Sequence, residues 1–128
     1  IQLYTVPGQV KYNATRKLVL RGVDGVVFVA DSMKLRREKN VISLKNLQEN
    51  LVGYKKNIFK IPLVMQYNKI DLADQDIPIM SFERLEKDLN SKLKAPSFAA
   101  SAIRGIQVAE TLKKIIALTI ASISKDLK

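Results

Sequence analysis

No cysteine and no histidine occur in this chain of 128 residues. The first absence excludes a disulfide framework and thiol chemistry, and nothing argues for secretion. The second excludes histidine-based metal sites and histidine general bases. No apolar run approaches the ~20 residues that a membrane-spanning helix needs, and no segment in view reads as a signal peptide. The chain also contains no Gly-x-x-x-x-Gly-Lys-Ser/Thr. That loop cradles nucleotide phosphates with backbone N–H groups and neutralises them with its lysine. Internal repeats, low-complexity tracts and domain boundaries are absent too. With 47% hydrophobic and 27% charged residues, positions 1–128 have the composition of one packed unit.

Charge of one sign is in excess. There are 22 Lys and Arg against 12 Asp and Glu, a net charge of +10. Such a balance can serve nucleic acid or an anionic membrane. Here the cations are spread along the chain and interleave with acids, as in Lys34-Leu35-Arg36-Arg37-Glu38-Lys39. No aromatic-basic RNA motif accompanies them. A solvated outer surface is therefore expected, with Lys34–Lys39 the best candidate for a functional patch.

Apolar runs alternate with amphipathic stretches. Ile61–Tyr67, Gly25–Asp31 and Pro96–Ala102 read as buried strands, and Ile1–Thr5 alternates like another. Helices are expected at Asn13–Leu20, at Glu38–Leu51 (Val41, Leu44, Leu47 and Leu51 inward, Gly53 after it), and at Ser81–Leu93. The last has Ser81 as N-cap and Phe82, Leu85 and Leu89 inward. A final helix covers Gln107–Ser124, with Val108, Leu112, Ile115, Ile116, Thr119, Ile120 and Ile123 on the sheet. Ala73–Pro78 reads as a linker. This order predicts an α/β fold: a mostly parallel, doubly wound sheet with helices on both faces.

Asn68-Lys69-Ile70-Asp71 comes directly after the strand Ile61–Tyr67. Ligands bind where the strands of open α/β sheets end. Asn-Lys-x-Asp at that place is the guanine-reading signature of GTPases. The Asp71 carboxylate can accept from the guanine ring N1–H and from its exocyclic amine. Adenine lacks that donor pair and leaves the carboxylate unpaired. Lys69 can lie over the base, and Asn68 can tie the surrounding loops. Ser101-Ala102-Ile103 resembles the Ser-Ala-Lys of Ras-like GTPases, and the resemblance implies a loop whose small residues let a backbone N–H approach the guanine oxygen.

Several strings together resemble the MglA family, bacterial Ras-like GTPases of cell polarity and gliding motility. They are Thr5-Val6-Pro7-Gly8-Gln9, Tyr12–Lys17, Gly22–Ser32 and Gln66-Tyr67-Asn68-Lys69-Ile70-Asp71-Leu72. The resemblance covers the whole chain but not the whole family domain. It implies the C-terminal two-thirds of a longer, Ras-like P-loop GTPase, from the switch II strand onward. Expressed alone, residues 1–128 are then expected to bind GTP poorly and to aggregate. By the same resemblance Gly8 senses the γ-phosphate of GTP and Gln9 orients the attacking water. Mg²⁺ is implied as well, with ligands mainly outside this chain. The implied partners are an MglB-like, roadblock-fold activator dimer and motility or polarity effectors, in the cytoplasm. Ile103 departs from the Lys common in Ras-like proteins. A second class of function is a GTPase-like scaffold without useful catalysis, which would bind GDP and show no turnover. A basic nucleic-acid module ranks below both and would require strong salt-dependent duplex binding.

Overall fold

The computed structural model of the chain describes residues 23–68, 76–101, 105 and 107–126. The expected strand Ile1–Thr5 and helix Asn13–Leu20 lie outside them. Three strands, β1 (Val26–Asp31), β2 (Leu63–Asn68) and β3 (Ser97–Ala99), form a parallel sheet in that order. β2 is central, and Leu63 through Tyr67 are all buried. That is why its sequence does not alternate apolar with polar: Leu63, Val64, Met65 and Tyr67 are apolar or aromatic, with Gln66 the one buried polar side chain among them. Register pairs Phe28 with Met65, Asp31 with Asn68, and Tyr67 with Ala99.

Parallel neighbours need crossovers. The first is α1 (Arg37–Gly53), entered through a 3₁₀ turn at Lys34–Arg36. Leu51 is fully buried, and Leu44 and Leu47 pack on the core. Val41, expected inward, is 43% exposed. Asn40 takes the buried place one residue earlier, because its amide is bonded to the end of β1. Gly53 does not stop the helix. Lys55 does, in a left-handed conformation (φ 60°), with Lys56 N–H donating to Leu51 O at 2.8 Å and Lys55 N–H to Val52 O at 2.9 Å. This is a Schellman closure without glycine.

The second crossover holds α2 (Phe82–Leu85), which widens into a π turn at Glu86–Asn90 instead of running to Leu93. Ser81 caps it as expected, its Oγ accepting from Arg84 N–H at 3.1 Å. Leu85 and Leu89 are buried, whereas Phe82 is partly exposed. The Phe82 ring meets Tyr67 edge-on, with centroids 5.5 Å apart. Residues 76–78 are exposed, but the segment from Pro78 to Met80 is more than a linker, since it is bonded to the end of β1. Lys34 N–H donates to Pro78 O at 3.1 Å, and Met80 N–H to Ser32 O at 2.7 Å.

After β3 comes α3 (Val108–Asp126). Among its described side chains only Thr111, Ile115 and Thr119 are buried. Val108, Leu112, Ile120 and Ile123, expected on the sheet, are 37–49% exposed. The three described strands span about 10 Å between outer backbones, and among the described residues α3 is buried along one line. The helix comes close at Gly25, where a Cβ would collide with Thr119 Oγ1. The main core lies on the opposite face. There Phe28, Ala30, Leu63, Met65 and Tyr67 meet Leu51, Ile58, Met80, Leu85 and Leu89.

Candidate functional site

Parallel strands of unequal length end here at one edge, and backbone bonds lock their ends together. Ser32 N–H donates to Asn68 O at 3.1 Å, and Ala100 N–H donates to Tyr67 O at 2.7 Å. Asn68 is the last residue of β2, not the first of a loop, and is half-buried between the ends of β1 and β3. Ser101, two residues beyond β3, is fully buried. The structure thus brings two sequence-derived candidates, Asn68 and Ser101, to the same edge on adjacent strands. Gly8, Gln9, Lys69, Asp71 and Ala102 lie outside the described residues.

The β1 end is built from side chains that sequence reasoning missed. Asn40 clamps Asp31, accepting from its N–H at 3.1 Å and donating to its carbonyl at 2.8 Å. The Asp31 carboxylate accepts from Met33 N–H at 3.0 Å and turns the chain away from the strand. An amide in the place of a neighbouring strand finishes the ladder at this residue. The signal for Asn40 was a polar residue one position before an expected inward valine. Beside it, Ser32 Oγ is buried and has no hydrogen-bond partner among the described residues. An orphaned hydroxyl costs about 1–3 kcal/mol. A polar ligand group or water arriving at this edge would relieve that cost, so the site suits a hydrogen-bonding ligand.

Under the β2 end lies a second network. Tyr67 O–H donates to Glu86 Oε1 at 2.6 Å. Asn90 Nδ2 donates to both Glu86 oxygens at 3.2 Å and to Ala95 O at 2.8 Å. Asn90 Oδ1 accepts from Ala95 N–H at 2.9 Å. Burial, then the hydrogen bond to Glu86 and its negative charge, push the Tyr67 phenol well above its ordinary pKa. The ring therefore remains a donor at any physiological pH. A tyrosine inside a buried strand needs a partner for its hydroxyl, and that need was the available signal.

No group of three or more Asp, Glu, His or Cys could hold a metal among the described residues.

Over 123 residues the chain is 47% identical to the mutual gliding-motility protein MglA of Myxococcus xanthus (strain DK1622). The alignment takes in 96% of this chain and 60% of that protein. Over the part it spans, this match supports an MglA-type small GTPase. The parallel sheet with helices on both faces is then the matching part of a Ras-like fold. Guanine nucleotide and Mg²⁺ are what such a family implies in general. No protein-family profile matches the chain. Among the described residues no helix is long and apolar enough to cross a membrane.

Proposed function

We propose that the polypeptide carrying this chain is a GTP-binding molecular switch that hydrolyses GTP to GDP. Residues 1–128 supply one part of its single small-GTPase domain. The observation that carries the reading is the placement of Asn68. It ends the central strand between Ser32 and the Ser101 segment, and the next three residues complete Asn-Lys-x-Asp.

In this reading Asp71 accepts from guanine N1–H and the exocyclic amine, Lys69 covers the base, and the Ser101-Ala102 backbone faces the guanine oxygen. Asn68 ties these loops to the sheet. Gly8 and Gln9 act at the other end of the nucleotide, Gly8 contacting the γ-phosphate through its N–H and Gln9 orienting water. The relative's gliding-motility name supports a role in motility, and cell polarity, a cytoplasmic location and a roadblock-fold activator dimer belong to the same proposal.

Titration calorimetry of the full-length polypeptide tests the base. GDP should bind well ahead of ADP, and Asp71→Asn should shift preference toward xanthine nucleotides, whose extra carbonyl accepts from an amide. Equal affinity for ADP and GDP would remove the reading. Gln9→Leu should keep nucleotide binding and lose about 2–4 kcal/mol of stimulated transition-state stabilisation, read by single-turnover phosphate release.

A further inference from the structure

Asn68 ends β2, and the residue before it is anchored through both its backbone and its side chain. Tyr67 is fully buried and lies next to Asn68 in the strand. Its backbone carbonyl accepts from Ala100 N–H, one residue before Ser101. Its hydroxyl reaches Glu86 across the core at 2.6 Å. Glu86 is held in turn by Asn90, which is fastened to Ala95 on the approach to β3. One side chain thus joins the end of β2, the π turn and the segment entering β3. Those are the elements that deliver Asn68 and Ser101.

We propose that Tyr67, through its hydrogen bond to Glu86, is a positioning residue that sets the placement of Asn68 against the Ser101 segment and so the discrimination among purine bases. The inference rests on the reading of Asn68-Lys69-Ile70-Asp71 as part of the base site. Tyr67 touches no ligand itself. It acts by fixing the pitch of β2 at its last residue, in step with the Ser101 segment. A π turn is a costly local geometry that recurs at functional positions. Here it sets the Glu86 carboxylate under the hydroxyl, with Asn90 one turn on as its second support.

The test uses the full-length polypeptide and a ribose-labelled fluorescent GDP, with inosine diphosphate as competitor. Inosine lacks the exocyclic amine and reports the reading of that group. Tyr67→Phe keeps the ring and its contact with Phe82 and removes only the hydroxyl. It should release labelled GDP about three- to tenfold faster and narrow the preference for GDP over inosine diphosphate. Glu86→Ala should behave the same way. The double variant should add nothing further, as expected for two halves of one interaction. Glu86→Gln keeps an acceptor oxygen and should stay near the parental values. Ile115→Val, a core change on the other face of the sheet, should lower the melting temperature and leave base discrimination untouched. Parental release and discrimination in Tyr67→Phe, or additive effects in the double variant, would overturn the proposal. A parental protein that does not prefer GDP to ADP would instead overturn the base-site reading on which it rests.

Discussion

Phe28 and Val29 are neighbours in β1 and lie in different surroundings. Phe28 is 9% exposed, packed among residues of α1, β2 and α2, and Val29 is 54% exposed on the α3 side. The two faces of the sheet differ in this way at β1, whereas at β2 Val64, on the α3 side, is fully buried. On the first, two crossovers close over the strands, and every large apolar side chain of the cluster is covered. On the second, one helix touches along Thr111, Ile115 and Thr119, and its flanking isoleucines and leucine face outward. Hydrophobic residues occur on both faces, so hydrophobicity alone does not say what is covered. The width of the packed neighbour does.

Substitutions can break or sharpen that contrast. The largest expected effect is on the closed face: Phe28→Ala should cost about 3–5 kcal/mol by denaturant unfolding. Val29→Ala, one residue away, should cost less than about 1 kcal/mol. Equal losses at the two positions would show the α3 side to be covered, and the contrast would fail. Next comes the one place where the open face is tight. Gly25→Ala forces a Cβ against Thr119 and should cost about 1–3 kcal/mol, whereas Gly53→Ala, with nothing within 4 Å, should be neutral or slightly stabilising. A smaller change is expected where α1 ends. Lys55→Gly should gain up to about 1 kcal/mol, since a side chain is strained at φ 60°.

The smallest effect concerns acid. Arg37 binds Asp88 at 2.7 and 3.1 Å, joining α1 to the π turn on the closed face. The Arg37 hydrogen bonds and charge hold the Asp88 carboxyl below its ordinary pKa, although partial burial works against them. A carboxyl depressed on folding contributes stability above its unfolded pKa of about 4, and that contribution disappears as pH falls through the folded value. Asp88→Asn should therefore flatten the acid limb of a stability–pH curve and leave the slope near neutral pH unchanged. Because the pair is at the surface, high salt should shrink the difference. An acid limb identical to the parent would mean the pair contributes nothing in solution.

Asp88 also shows how a charge run can mislead. Lys34–Lys39 is the best candidate for a basic patch by sequence, yet Arg37 from its centre is turned to an acid 51 residues away. No local pattern announces that pairing. Among the described strands, β1 and β2 were legible within two residues, because apolar runs ending in Asp31 and Asn68 have few alternatives in an α/β pattern, whereas β3 stops at Ala99, three residues short of the expected Ala102. Ser81 was legible as a cap for a local reason, an oxygen three residues before the N–H it accepts from. The end of α1 was not legible. Gly53 carried the usual stop signal, but the chain closed at Lys55, where Leu51 and Val52 could find donors.

The candidate site divides along the same line. Asn-Lys-x-Asp directly after an apolar strand is a contiguous string, and contiguous residues stay together in any fold that keeps the strand. The sequence by itself therefore determined the resemblance to MglA-type GTPases, the parallel sheet and the contiguous string that is proposed to read a guanine. The tertiary structure decided that Asn40 finishes β1, that Asn68 belongs to the strand, and that Tyr67 is tethered to Glu86 and through it to Asn90. Those contacts join residues 4 to 19 positions apart, and the distances among them depend on how helices settle against a sheet. It also decided which isoleucines of α3 are covered. That depends on which neighbours a helix meets when it settles on the sheet, and an amphipathic pattern does not name them.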